Sequence, residues 1–186
     1  MSTYTELTEE EILTTQPIME YNWIKTDEIE FHQRIRTICE NECPRYNTSW
    51  SCPPAVGTVE ECRAKVLEYS DCFIFSTIAE VDDITNFEAA LKTRMEHERV
   101  TQQVVEIFRK HFGKVQALST ESCEICEKCA WPDGPCRHPE LMYPCVESFA
   151  IVVSNVAEKH NMSFDNGANV ITWFSMVFFN DREDGE

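Results

Sequence analysis

The sequence predicts a single-domain α/β or α+β sandwich of sheet and helices that carries two cysteine-rich loops. Three observations support this. Apolar residues recur at helical spacing in some segments, β-branched and aromatic residues crowd short runs in others, and most of the ten cysteines fall in two irregular stretches between them. The 186 residues suit one domain with a real core. No solenoid-length repeat, low-complexity tract or Gly/Ser-rich linker divides the chain. The expected domain is 1–186, with 1–15 and the tail "NDREDGE" (180–186) flexible, because both are charged and lack a periodic apolar face.

Taken in order, "WIKTDEIEF" (23–31) predicts a strand or strand pair, and "HQRIRTIC" (32–39) a helical turn. The three prolines and the closing Gly57 of "CENECPRYNTSWSCPPAVG" forbid regular structure there. Thr58 and Glu61 make a capping-box pattern, and Val59, Cys62, Val66 and Tyr69 recur at helical spacing, which predicts a helix over 58–69. "CFIFSTIAEV" (72–81) reads as a buried strand. A long helix follows from about Ile84, with Phe87, Leu91, Val105 and Phe108 on one face, and it stops at Lys110, His111 and Gly113. "KVQALS" is a short strand. Beyond the second cysteine stretch, Val146, Phe149, Ala150, Val153, Val156 and Ala157 predict one amphipathic helix from just after Pro144 to about Asn161. "DNG" (165–167) then turns the chain into a last strand over 169–179; whether the sheet is parallel or mixed stays open.

Charge excludes some partners. Against 33 acidic residues stand 16 basic ones, a net of -17, so phosphate backbones and anionic membranes are repelled, while a basic protein surface or simple solubility is favoured. The acidic N-terminal segment "MSTYTELTEEEILTT" lacks the basic and apolar regions of a signal peptide. The longest nearly apolar run, Val170–Phe179, is about half the roughly 20 residues of a membrane-spanning helix. A cytoplasmic protein is therefore expected, in which clustered thiols serve metal binding or catalysis before disulfides.

Cys62 and Cys72 sit in apolar patterns and read as small core residues. The other eight carry the chemistry. Cys123-x2-Cys126-x2-Cys129-x6-Cys136 places three thiols at three-residue spacing, which wraps a segment around corners of an iron-sulfur cubane, whereas zinc sites generally take two separated pairs. The fourth spacing departs from the ferredoxin pattern, and Arg137 follows Cys136 where that pattern has proline. Cys39-x3-Cys43-x8-Cys52 has Pro53 after Cys52. In two-cluster ferredoxins the cysteine before proline completes the distant cluster, so Cys52 rivals Cys136 as the fourth ligand of the triad. The first group does not match the C-x3-C-x2-C of radical enzymes that cleave S-adenosylmethionine. Cys145, at the start of the expected helix, suits ligation or reactivity because a helix N-terminus favours thiolate. Eight thiols would complete two 4Fe-4S clusters; one cluster, or one cluster with zinc, is the alternative.

His138 is a weaker ligand candidate, and His32, His97, His111 and His160 lack metal spacing. Trp50, Trp131 and Tyr46 lie in the cysteine loops and could shield a cluster or simply pack the loops. Arg45, Arg63 and Arg137 could neutralise its charge or be solvated. No phosphate loop, HExxH or Ser-His-Asp arrangement is present.

The stretches "CENECPRYNTSWSCPPAVGTVEECRAKVLEY" and "CEICEKCAWPDGPCRHPELMYPCVES" resemble a family of small, cysteine-rich, predicted metal-binding proteins of uncharacterised function, common in anaerobic bacteria and methanogenic archaea. The likeness covers about 30–155. It implies metal or iron-sulfur binding through Cys39, Cys43 and Cys52 and through Cys123, Cys126, Cys129 and Cys136; the family pattern has serine where this chain has Cys145. Three functions follow as expectations. The first is an iron-sulfur redox protein passing electrons to a partner metalloenzyme with a basic surface in anaerobic metabolism. The others are a zinc-binding or metal-delivery protein, and an enzyme with a substrate-accessible cluster.

Overall fold

The computed structural model describes residues 2–181 as an α+β fold around one four-stranded sheet. Its elements are α1 (Thr3–Thr15), β1 (Glu20–Lys25), α2 (Gln33–Glu42), α3 (Val59–Val66), β2 (Asp71–Glu80), α4 (Phe87–His111), β3 (Val115–Leu118), α5 (Val153–Lys159) and β4 (Val170–Phe179). The strand order is β1-β2-β4-β3 and every pairing is antiparallel.

Side-chain alternation along the two central strands sends residues to two cores. In β2, Cys72 and Ile74 join one core while Phe73 and Phe75 join the other; in β4, Phe174, Met176 and Phe178 oppose Val177 and Phe179 in the same way. The first core is roofed by α3, α5 and Val146, Phe149 and Ile151. The second lies under α1 and α4, where Trp23, Phe73, Phe108, Phe112 and Phe179 form a cluster of ring contacts. Cys62 and Cys72 have no solvent exposure, and the core role expected of them holds.

Local signals account for most element ends. The Thr58 hydroxyl accepts the Glu61 N–H while the Glu61 carboxylate accepts the Thr58 N–H, a complete capping box. The Asn86 side chain caps α4, and Arg109, Lys110 and His111 occupy its last turn. Asp165 Oδ1 accepts the Gly167 N–H at 2.9 Å, closing the turn before β4.

Three expectations differ. Thr3–Thr15, where no element was expected, is a helix capped by the Ser2 hydroxyl and anchored by fully buried Ile12 against α4, so tertiary contact supplies what periodicity lacks. Of the tail, 182–186 lies outside the described residues. The helix expected from 146 to 161 is broken: Glu147–Phe149 is one 3-10 turn, Ala150 adopts φ 63°, and Ile151 pairs with Phe31 before α5 begins. Phe87, expected on the buried face of α4, is 71% exposed, and His97, Val100, Val104 and Phe108 take that face.

His97 sits in a buried hydroxyl network. Its Nδ1 is 2.8 Å from Thr77 Oγ1 and its Nε2 is 2.8 Å from Ser175 Oγ, which also bonds Thr101 and Ser119. Among the described residues no helix is long and apolar enough to cross a membrane.

Candidate metal centre

The first cysteine group is mounted on α2. Cys39 lies in its last turns and Cys43 is its C-cap. Buried Arg36 on the same helix donates to Gly57 O at 2.6 Å and to Ser148 O at 2.8 Å. One guanidinium thus ties the helix to the end of the cysteine loop and to the segment after Cys145. Within the loop, turns at Tyr46, Asn47 and Cys52 satisfy the backbone, with Asn47 at φ 57° donating its N–H to Pro53 O at 2.7 Å. These turns bury Cys52.

The second group leaves β3 at Leu118. The Ser119 N–H donates to Pro144 O and the Val146 N–H to Ser119 O, so Cys145 is held beside the start of this loop. Arg94 from α4 donates to Ser122 O at 3.0 Å and, with Arg45, pairs with Glu124. Arg137 closes the far end on Lys128 O at 3.1 Å.

The two loops interlock. Trp50 donates to Gly134 O at 3.0 Å, Trp131 donates to Asn47 Oδ1 at 2.8 Å, and the two indoles meet edge to face at 4.7 Å.

This packing sorts the thiols. Cys39, Cys43, Cys52 and Cys145 line one cavity of about 300 Å3, together with Glu121 and Glu147 and an aromatic wall of Phe164, Trp173 and Phe174. Cys123, Cys126, Cys129 and Cys136 line a second, narrow space of about 20 Å3 with Trp50, Arg137 and His138. Electrostatic influence follows the same division: Cys39 feels Cys43 and Cys52, Cys145 feels Cys52, and Cys123 feels Cys136 and Cys126. Cys136 therefore neighbours the triad, and Cys52 stands with Cys39, Cys43 and Cys145. Among the described residues no three His, Cys, Asp or Glu side chains stand together as the ligand shell of one ion; the thiols frame spaces in place of converging on a point.

Burial pushes the Cys39 and Cys123 thiols up and the Cys145 thiol well above its ordinary value. For Cys145 this reverses the expectation of a thiolate favoured by a helix start: only a 3-10 turn follows it, and desolvation outweighs the Ser148 N–H that donates to its sulfur at 3.3 Å. Burial likewise raises the Glu147 carboxyl to about 7. Protonated groups lower the charge of the cavity, and a metal would displace thiol protons as it bound.

Of the other candidates, Arg45 and Tyr46 reach the larger cavity, while Arg63 is exposed on α3. Sequence reasoning missed Arg36, Arg94, Ser51 and Glu147. Only Arg94 carried a trace, as a cation at seven-residue spacing from Thr101 and Phe108 on the buried face of α4.

The model of the family described as "predicted metal-binding protein (DUF2284)" matches residues 22–179. The match runs from within β1 to the end of β4 and takes in all eight cysteines of the two loops. Neither the curated proteins nor the solved structures yield a match.

Proposed function

This chain belongs to the family of predicted metal-binding proteins (DUF2284), and from that membership we propose an iron-sulfur redox protein that binds two 4Fe-4S clusters and passes electrons to a partner metalloenzyme. Cys39, Cys43, Cys52 and Cys145 would hold one cluster, and Cys123, Cys126, Cys129 and Cys136 the other. The observation that carries the reading is the division of eight thiols into two sets of four around separate spaces.

The donor sets fit the group. Both are all-sulfur, which suits thiophilic iron. Bound clusters would supply one-electron storage. The chain's own residues set its surroundings: Arg36 and Arg45 bring positive charge near the first set, Arg137 brings it to the second, and Trp50 lines the second set with Trp131 packed on it edge to face. Cys123, Cys126 and Cys129 also border an open cleft of about 430 Å3. The net charge of -17 suits a partner with a basic docking surface.

Anaerobic purification followed by iron, sulfide and zinc analysis, with electron paramagnetic resonance of the reduced protein, tests the proposal. Iron and sulfide in equal amounts at two clusters per chain support it; stoichiometric zinc without sulfide refutes it. A second reading, an enzyme acting on a small molecule beside the first cysteine set, is favoured by the aromatic wall of the larger cavity. It requires ligand-dependent change in the spectrum of that site alone.

A further inference from the structure

We propose that Ser51 couples the two cysteine groups, so that metal held by Cys39, Cys43, Cys52 and Cys145 favours metal at Cys123, Cys126, Cys129 and Cys136, and the reverse. The inference rests on the two-site reading above and adds a dependence between the sites.

Ser51 has no solvent exposure. Its hydroxyl oxygen accepts the Cys123 N–H at 2.9 Å, lies 2.9 Å from Ser49 Oγ, and lies 3.9 Å from the sulfur of Cys52, the next residue. One side chain thus touches the backbone at the head of one cysteine loop and a thiol of the other group.

A serine hydroxyl has a single proton to donate. With Cys52 as a neutral thiol, Ser49 is the nearer acceptor. When Cys52 becomes a metal-bound thiolate, its sulfur carries negative charge and attracts that proton. The Ser51 oxygen then accepts the Cys123 N–H more strongly, because hydrogen bonds in a chain polarise one another. That N–H fixes the start of the segment bearing Cys126, Cys129 and Cys136. Order gained at the first site therefore reaches the backbone of the second. Linkage makes the effect reciprocal: metal at the second site holds Cys123 in place and keeps Ser51 turned toward Cys52. The crossed tryptophans, Trp50 on Gly134 and Trp131 on Asn47, keep the loops close enough for the hydroxyl to span them.

The test titrates the full apo chain anaerobically with ferrous iron and sulfide, and counts by native mass spectrometry the chains with neither, one or both sites filled. Independent sites give a squared singly filled population of about 4 times, or more, the product of the empty and doubly filled ones. Positive coupling lowers this ratio from its independent value. Ser51→Ala is expected to raise it at least ~fivefold with the circular dichroism of the apo chain unchanged, Ser51→Thr to restore it, and Ser49→Ala to leave coupling intact. A Ser51→Ala ratio equal to that of wild type overturns the proposal. Decoupling by Ser49→Ala as large as that by Ser51→Ala also overturns it. A chain that takes up no iron and sulfide ends the two-site reading and the coupling with it; two sites that fill independently end the coupling alone.

Discussion

Acidifying the apo chain is expected to weaken it through His97, and the size of the effect follows from the surroundings of the ring. Both ring nitrogens are bonded to hydroxyls, of Thr77 and Ser175; the ring of Phe75 lies 5.7 Å away, and no carboxylate faces the imidazole among these partners. Burial lowers its pKa from 6.5 to about 3. Between these values the unfolded chain binds a proton that the folded chain refuses. The contribution of the neutral buried ring is therefore present above pH ~6.5 and is lost progressively as pH falls toward the folded value. Taking ~1.4 kcal/mol per unit of pKa difference, acidification from about pH 7.5 to 5 costs about 2 kcal/mol through this residue. Glu147, raised by burial to about 7, acts with opposite sign over the same interval, so the wild-type curve alone is uninformative. Urea denaturation of wild type and His97→Gln at several pH values isolates the ring. The variant is expected to be less stable at pH 7.5 but to lose about 2 kcal/mol less than wild type on going to pH 5. Parallel stability curves for the two proteins would refute the reasoning.

Three other outcomes are expected. Replacing Cys39, Cys43, Cys52 and Cys145 together by Ser leaves about half of the wild-type iron, because the second set keeps all its thiols; loss of all iron in anaerobic analysis would return Cys52 to the triad. Thr58→Ala lowers apo stability by about 1 kcal/mol in denaturant melts by removing the cap of α3. Arg36→Met leaves Gly57 O and Ser148 O without their donor and costs about 2–3 kcal/mol, with a matching loss of iron from the first set when loading is measured site by site.

The sheet was legible because a buried two-sided strand leaves a dense apolar run, as in 72–81 and 169–179, and because capping chemistry at Thr58 and stop signals at Lys110–Gly113 are local. What escaped was decided by tertiary contact. In α1 a single buried isoleucine against α4 takes the place of an apolar stripe. At Ala150 an apolar pattern fit for one helix is interrupted because Ile151 pairs with Phe31, distant in the chain. Which cysteine joins which set is equally non-local: spacing offered Cys52 and Cys136 alike, and only the packing of the two loops separates them. The roles of Ser51 and Arg36 are invisible to any motif, since each acts on backbone far along the chain.

The two cores on either side of the sheet are assembled without any of the eight cysteines of the loops. On the proposed reading, the scaffold buries its cores without a metal and would persist while that metal is scarce. Scarcity of the metal would then leave a reservoir of intact, unloaded chains awaiting supply, and the speed of recovery would be set by cofactor delivery instead of by new translation.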